Sequence, residues 1–225
     1  MQQLPSDPTG ATPRSPRAVD KTEYVIPDGE RWNHNIHYHP VIEAALPEPC
    51  RSALDIGCGE GVLTRRLRLR VPRVVGIDVD ERSIRLAEQQ SPAGDIQYVV
   101  GNVLTHPMDA GSFDAVTSVA TLHHLGAEAG LKRMAELVAP GGVLAVVGLA
   151  RTRLPHDLHR ELAAAVAHRL LVRRRGYWQH SAPTVWPPPL TFTQLQALSA
   201  TVLPGSVFRR HVLWRYSLVW TKPLG

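Results

Sequence analysis

The chain has 225 residues, of which 44% are hydrophobic and 20% are charged, and its formal net charge is +5. This length can bury one substantial core but is too short for two ordinary enzyme domains and a linker, and the small basic excess does not by itself favour a nucleic-acid partner. Because the sequence has no run of about 18 uncharged apolar residues and begins with polar residues, we predict neither a membrane span nor a secretion signal and expect a cytoplasmic protein.

The N-terminal part of the chain divides into a tail and a histidine-rich segment. Residues 1–23 contain four prolines and almost no large apolar side chains, so we expect a flexible tail. Residues 24–49 follow as a candidate lid, in which residues 32–40 concentrate three histidines together with Trp32 and Tyr38. A short helix is predicted over residues 41–45.

Between residues 50 and 150, short apolar runs alternate with stretches of helical period. The predicted strands cover residues 52–56, 73–77, 96–100, 113–119 and 143–147. The predicted helices cover residues 61–69, 81–90 and 127–137, and the last of them should end before a turn at Pro140–Gly142. The pattern is typical of parallel βαβ units and predicts an α/β fold with a doubly wound sheet, in a single domain over residues 24–225.

The alternation stops after Gly148. Residues 151–192 are predicted as an insertion that begins with a helix over residues 155–171 and continues with the Arg173–Arg175 run and several aromatic and proline residues. Residues 193–225 should supply a helix over 193–199 and two strands over 206–212 and 214–221. These strands are close enough in sequence to form an antiparallel pair at the edge of the sheet.

A glycine-rich loop follows the first predicted strand, where Gly57, Gly59 and Gly61 precede a helix. Without side chains, the loop can turn tightly and let a ligand approach its amide groups. Asp78 ends the second strand about 20 residues after the first glycine, where a carboxylate can accept hydrogen bonds from ribose hydroxyls. The loop alone would also suit a dinucleotide.

The third predicted strand ends at Gly101, and Asn102 and Val103 follow it. They offer an amide and an apolar side chain where an adenine ring would lie. Because the carboxyl ends of parallel strands meet at one edge of the sheet, these residues and Asp78 should line one cleft. The residues therefore predict a pocket for an adenosine group, and the glycine spacing disfavours a nicotinamide cofactor.

Residues 54–61, 74–78, 101–104, 113–125 and 137–149 resemble, in order and spacing, the motifs of class I S-adenosylmethionine-dependent methyltransferases. The resemblance is close over residues 50–150 and looser towards the end of the chain. It implies a Rossmann-like, mainly parallel sheet whose last strand, at residues 214–220, is antiparallel. It also implies that S-adenosylmethionine is the cofactor.

The same resemblance assigns roles to individual residues. The glycine loop would hold the methionine part of the cofactor, Asp78 the ribose and Asn102 the adenine. Many relatives carry aspartate at the position of Asn102, but asparagine keeps a carbonyl acceptor and should preserve binding if its amide is held in one orientation. Asp55 would reach the methionine amino group through water. The cofactor-binding residues so implied are Asp55, Gly57, Cys58, Gly59, Asp78, Val79, Asn102 and Val103.

Few side chains need take part in methyl transfer, since positioning can supply much of the acceleration. Where the acceptor needs a base, His124 is the best-placed candidate, because histidine titrates near neutrality. The N-terminal segment adds candidates if it folds over the cofactor: Tyr38 at the methionine end, and His37 or His39 facing the acceptor. The alternative is that these histidines are solvated or bond the backbone while Tyr38 packs on the core. No metal site is predicted.

The insertion raises the question of the acceptor. Trp178, Trp186 and Pro187–Pro189 could form the wall of an acceptor pocket, since aromatic surface binds organic molecules. Arg173–Arg175 could contact RNA but would equally suit a solvated helix end. We therefore predict methylation of oxygen or nitrogen in a small molecule of specialised metabolism, with RNA or protein methylation and non-catalytic cofactor binding as alternatives. An edge strand could pair with a second copy, but no pattern fixes an oligomeric state.

Overall fold

The structure, a computed structural model, describes residues 26–179 and 187–224. The predicted tail and Trp186 lie outside the described residues. Seven strands are found in the described part of the chain, namely β1 (Ser52–Ile56), β2 (Arg73–Asp78), β3 (Gln97–Val100), β4 (Phe113–Val119), β5 (Val138–Leu149), β6 (Val207–Arg210) and β7 (Arg215–Thr221). The helices are α1 (His39–Ala44), α2 (Val62–Arg68), α3 (Glu81–Gln89), α4 (Leu122–Leu125), α5 (Ala127–Leu137), α6 (Leu158–Arg175) and α7 (Phe192–Val202), and a 3-10 turn (Ile36–Tyr38) precedes α1.

The strands form one sheet in the order β3-β2-β1-β4-β5-β7-β6. The first five strands in this order are parallel, β7 runs antiparallel to β5, and β6 pairs antiparallel with β7 at the edge. Both β1 and β4 lie centrally, and all five residues of β1 are buried, as expected for a strand covered on both faces. The predicted sheet, with its antiparallel last strands, is confirmed.

Helices cover both faces of the sheet. Successive residues of each strand point to opposite sides, so the apolar side chains of a strand need cover on both faces. Leu54 and Ile56 of β1 belong to the core that packs against α4, α5 and α7. Ala53, which precedes Leu54 and points to the opposite face, belongs to a second core, which contains residues of α1, α2 and α6. The fold is therefore doubly wound. No helix within residues 26–179 and 187–224 is long and apolar enough to cross a membrane, and the expected cytoplasmic location stays a prediction.

The turn predicted at Pro140–Gly142 is wrong in one respect. Helix α5 ends at Leu137 as predicted, but β5 begins at once with Val138. The turn residues form an irregularity inside this strand: Phe113 pairs with Val138 and Ala115 with Val143, so residues 139–142 bulge out. Proline has no N–H for the ladder and Gly141 has a φ of +76°, so these residues leave regular pairing without ending the strand.

Candidate active site

A cavity of about 360 Å³ opens at the carboxyl edge of the sheet, beside the last residues of β1, β2 and β4. This volume lies within the range of about 300–1,000 Å³ that is usual for ligand pockets. Residues 101–103, parts of the N-terminal segment and Trp178 complete its wall. Ligands of open α/β sheets bind at this edge, so the cavity is the candidate active site.

The loop after β1 owes its shape to its glycines. Gly57 has a φ of +69° and Gly59 a φ of +52°, in the left-handed region that residues with a Cβ avoid. A Cβ at Gly57 would also lie 2.0 Å from Thr121 Oγ1. At Gly59, by contrast, a Cβ would meet no atom of the described residues within 4 Å, so a ligand can approach the backbone there.

Asp78, at the end of β2, holds the glycine loop as well as facing the cavity. Its Oδ2 accepts a hydrogen bond from the Gly59 N–H at 2.8 Å, and its Oδ1 accepts one from the Asp80 N–H at 2.9 Å. A carboxylate has about four acceptor sites, so capacity remains for the hydroxyls of a ribose. Asp78, the residue predicted to bind the ribose, therefore also stabilises the loop, which the sequence did not reveal.

Three side chains after β2 and β3 suit an adenine ring. Val79 and Val103 both line the cavity; Val79 is 67% exposed, and Val103 is buried. The Oδ1 of Asn102 accepts the Leu104 N–H at 3.0 Å, which fixes the orientation of its amide. The predicted role of Asn102 requires its amide to be held in one orientation, and the hydrogen bond from the Leu104 N–H does this. The Oδ1 of Asn102 keeps a second lone pair that can accept another hydrogen bond.

Asp55 lies beneath the loop and is only 2% exposed. Its Oδ2 accepts the Thr64 hydroxyl at 2.7 Å, and its Oδ1 accepts the Thr117 hydroxyl at 3.2 Å. Burial raises the pKa of Asp55 to about 6, although the two hydroxyl bonds lower it. The carboxyl group is thus held rigidly at the cavity wall, with its proton bound more tightly than in an exposed aspartate.

The N-terminal segment reaches the cavity with different side chains from those predicted. Tyr38 is not among the lining residues: it is buried in the core next to α2, and its hydroxyl donates to the carbonyl of Val212. The proposal that Tyr38 contacts the methionine end is therefore wrong, because its polar end is used elsewhere. Asn33 and Asn35 line the cavity instead, and no sequence pattern indicates this role for them beyond their place beside the histidines.

The N-terminal histidines are poorly placed to act as bases. His37 does not line the cavity, and its Nδ1 accepts a hydrogen bond from Trp32 Nε1 at 3.4 Å. His39 does line it but is only 4% exposed, and burial together with the positive charge of Arg66 lowers the pKa of His39 to about 3. A histidine held neutral in this way is a weak base, so the predicted roles of His37 and His39 are not supported.

His124 lies in α4, a helical turn after β4 that the sequence did not predict, and it is exposed at the cavity. The ring of its neighbour His123 lies at a tilt to it, with ring centroids 4.1 Å apart, but His123 does not line the cavity. Burial is the main cause that lowers the pKa of His123 to about 4. Of the two, His124 is therefore the one that can reach a reacting group.

Ala120, just before this turn, has a φ of +55°. Such a conformation is uncommon for alanine and is held here by the bond from its N–H to the carbonyl of Val147 at 2.7 Å. It directs Thr121 towards Gly57. The strained residue lines the cavity, and the sequence carries no signal for it.

Trp178 supplies part of the cavity wall, as predicted for the insertion. Its backbone N–H donates to the Trp32 carbonyl at 2.7 Å, and the guanidinium of Arg31 lies 4.9 Å from its ring centre. Arg31 also forms ion pairs with Asp28 at 3.4 Å and with Glu60 at 3.6 Å. The N-terminal segment, the glycine loop and the insertion are thus joined around one buried arginine.

The remaining predicted features lie away from the cavity. Pro187–Pro189 do not line it, so they are not part of the predicted pocket wall. Arg173–Arg175 form the exposed last turn of α6, and the Gly176 N–H caps that helix by donating to Val172 at 2.9 Å. In the parts of the chain that the structure covers, no group of three or more metal-binding side chains comes together.

The site as a whole suits S-adenosylmethionine. The open face at Gly59 fits a chain lying along the loop, Asp78 fits a ribose, and Val79 with Val103 fits an adenine between apolar surfaces. Eight of the nine residues that the sequence assigned to cofactor binding line this cavity, Tyr38 being the exception, and their individual binding roles stay predictions. The fold and the cavity define a nucleoside-binding α/β protein of the methyltransferase type.

Comparison with known proteins agrees. The sequence model of a protein family described as a methyltransferase domain matches residues 54–146. An uncharacterized methyltransferase of Mycobacterium tuberculosis is 37% identical over 194 residues, 86% of this chain and 98% of the relative. A ubiquinone biosynthesis O-methyltransferase of Chromobacterium violaceum is 33% identical over 96 residues, 41% of each protein. The N-methyltransferase NodS of Bradyrhizobium japonicum, solved with S-adenosylhomocysteine, has a TM-score of 0.55 at 20% identity and covers 83% of this chain and 86% of its own.

The chain therefore belongs to the methyltransferase family. It is an S-adenosylmethionine-dependent enzyme with the class I methyltransferase fold, as the sequence predicted.

Proposed function

We propose that the chain transfers the methyl group of S-adenosylmethionine to an oxygen or nitrogen atom of a small organic molecule. The observation that carries the proposal is the lining of the cavity: residues of the N-terminal segment, Trp178 and His124 all contribute to it besides the cofactor-binding loops. A concave site of this size, with an aromatic side chain and few polar groups, is typical of sites for small molecules. The similarity to a ubiquinone biosynthesis O-methyltransferase also favours a small acceptor.

The residues divide the work between binding and proton transfer. When bound, the cofactor supplies a methyl group on a positively charged sulfur. Asp78 and the glycine loop hold the nucleoside and methionine ends, so that the acceptor meets the methyl group in line. His124 takes the proton from an acceptor hydroxyl or ammonium group. Proton transfer of this kind contributes about 10²–10⁴-fold to a rate.

Residues 24–49 act in this proposal as a lid, of which residues 26–49 are described. Three arginine contacts hold it down: Arg65 donates to both carboxylate oxygens of Asp28 at 2.7 and 2.8 Å, Arg66 pairs with Glu43, and Arg31 contacts Glu60. Each of these pairs joins the segment to α2 or to the loop before it. Release of these pairs would open the cavity for exchange of cofactor and product.

Labelling of a cell extract tests the proposal. The extract is incubated with the enzyme and S-adenosylmethionine carrying a deuterated methyl group, and small molecules, RNA and protein are separated and analysed by mass spectrometry. We expect the label in a small molecule, and its absence with Asp78→Ala. Label that enters RNA or protein instead would favour the alternative acceptors. Cofactor binding without any labelled product in extracts of the source organism would favour a non-catalytic binding protein.

A further inference from the structure

Helix α6 carries apolar side chains on two of its faces. Its inner face packs on the core that also contains α1 and α2, through Ala167, Leu171 and Val172. Its outer face carries a row of four side chains at every fourth residue, which we call the outer ridge: Leu158, Leu162, Val166 and Leu170. These four side chains are between 52% and 61% exposed. Single exposed leucines are ordinary, whereas a continuous apolar row on a surface indicates a site of interaction.

The same segment carries the net positive charge of the whole chain. Residues 151–175 contain seven arginines and two acidic residues, so their formal charge of +5 equals the net charge of all 225 residues. The rest of the chain is therefore neutral overall. A charge concentrated in one segment, beside an apolar row, indicates an anionic partner for this face.

The two acidic residues of this segment do not offset the charge at the outer face. Asp157 is buried and pairs with Arg210 at 2.9 Å. Glu161 accepts the Nε1–H of Trp214 at 2.7 Å, and its other carboxylate oxygen is buried.

Two arginines lie on the same side of α6 as the outer ridge. Arg169 follows Val166 by three residues and Arg173 follows Leu170 by three, a spacing that places side chains next to each other on a helix. Both arginines are exposed, and neither takes part in the ion pairs found within residues 26–179 and 187–224. Their guanidinium groups can therefore bind an anionic group that meets the ridge.

The composition of the outer ridge distinguishes between anionic partners. A second copy of the chain would bring the same arginines face to face, so the charge disfavours self-association. Single-stranded nucleic acid stacks on aromatic side chains, and the ridge has none. In protein interfaces the binding energy comes mainly from Trp, Tyr and Arg, whereas Leu and Val are under-represented. Exposed aliphatic side chains beside arginines are instead typical of helices that lie at the surface of a lipid bilayer.

We propose that α6 docks the enzyme on the surface of a bilayer containing anionic phospholipid. The outer ridge enters the boundary between headgroups and acyl chains, and Arg169 and Arg173 bind lipid phosphates. The long apolar stem of arginine lets the guanidinium reach a phosphate from the edge of an apolar face. No helix within residues 26–179 and 187–224 can cross a membrane, so the contact is with the surface alone. No residue of the ridge lines the active-site cavity, and the inference does not depend on the proposed function.

Sedimentation of the full chain with sucrose-loaded vesicles tests the proposal. One set of vesicles contains equal parts of phosphatidylglycerol and phosphatidylcholine, and the other contains phosphatidylcholine alone. We expect the enzyme to bind the anionic vesicles at least about tenfold more tightly, and to bind them more weakly at high salt, since salt screens the attraction.

The first variant combines Leu162→Ser with Val166→Ser and keeps every charge. Both side chains are exposed, so the variant should fold, and its melting temperature checks this. We expect its binding to the anionic vesicles to fall at least about tenfold. The matched control combines Leu69→Ser with Val207→Ser, which are also exposed but lie outside α6, and it should bind like the unmodified enzyme.

The second variant combines Arg169→Gln with Arg173→Gln and keeps the apolar ridge. Its binding to the anionic vesicles should also fall at least about tenfold, because each arginine near an anionic surface adds to the attraction. The matched control combines Arg51→Gln with Arg82→Gln, which removes the same charge from exposed positions elsewhere. Equal losses in the two variants would indicate a general effect of net charge and overturn the proposal.

Four further results would overturn the proposal. The first two are no binding of the unmodified enzyme to the anionic vesicles, and unchanged binding of the variant with two ridge serines. The third is tighter binding to poly-L-glutamate than to the vesicles, which would indicate an acidic protein as the partner. The fourth is self-association of the unmodified enzyme that the ridge serines abolish, which would indicate a second copy of the chain.

Discussion

Replacement of Asp55 by asparagine should remove a specific pH dependence from the stability of the protein. The carboxyl group is buried, and the hydroxyls of Thr64 and Thr117 donate to it. An asparagine has nearly the same shape, and because a hydroxyl can accept as well as donate, Thr64 can turn to accept from the new amide. The variant should therefore fold and lack only the titrating group.

The size and direction of the effect follow from the pKa. Burial raises the pKa of Asp55 from 3.8 to about 6. Between these values the folded protein keeps a proton that the unfolded chain has lost, so the free energy of unfolding falls as the pH rises. At about 1.4 kcal/mol for each tenfold change, the full difference amounts to about 3 kcal/mol, complete only above the folded-state pKa.

Urea unfolding of both proteins between about pH 4 and pH 7 measures this effect. The difference between the two free energies cancels the titration of all other groups. We expect the unmodified protein to lose up to about 3 kcal/mol relative to Asp55→Asn over this range, with most of the loss between about pH 4 and pH 6. A difference that stays constant with pH would show that Asp55 has no raised pKa, and the argument from burial would fail.

Three further predictions concern the loop, the base and the lid. Gly57→Ala should abolish S-adenosylhomocysteine binding and lower stability by more than the roughly 1–2 kcal/mol of left-handed backbone strain, because its Cβ would also clash. Gly59→Ala has open space around its Cβ, so its stability should fall by about that strain alone. Equal unfolding midpoints in urea would contradict this. His124→Gln should lower kcat about 10²–10⁴-fold while His123→Gln, one residue away but outside the cavity, should not, and similar kcat values would exclude His124 as the base. Arg31→Ala should speed hydrogen exchange in residues 26–38 and the release of S-adenosylhomocysteine; unchanged exchange would show that Arg31 does not hold the lid.

The fold could be predicted because its signals are local. Each parallel strand is a short apolar run, and the alternation with amphipathic helices selects a doubly wound sheet. The bounds of β1, β4 and α5 were predicted without error. Turn α4 was missed because its four residues are too few to show helical periodicity. The bulge in β5 was missed because proline and glycine mark a break in regular structure without saying whether the strand resumes in the same register.

The cofactor side of the cavity was predictable for a related reason. Asp55, Gly57 and Asp78 stand at the ends of adjacent strands, so the topology brings them together once the sheet order is known. The N-terminal segment has no such rule. Whether its aromatic residues face the cavity or the core depends on which packing buries more apolar surface. The position of Tyr38 is determined by its packing in the core next to α2 and by its hydrogen bond to the carbonyl of Val212.

The part of the cavity wall outside the cofactor motifs depends on contacts between distant parts of the chain. Arg215 and Asn35 are 180 residues apart, and neither belongs to a motif. In the sequence, Arg215 is one arginine among 25 basic residues, inside a strand whose pattern predicts only an edge position. What distinguishes it is that burial leaves it beside neutral acceptors, and burial of a charged residue in a strand is an exception that periodicity does not predict. Contacts of this kind join segments that share no motif, so they become visible only in the folded protein.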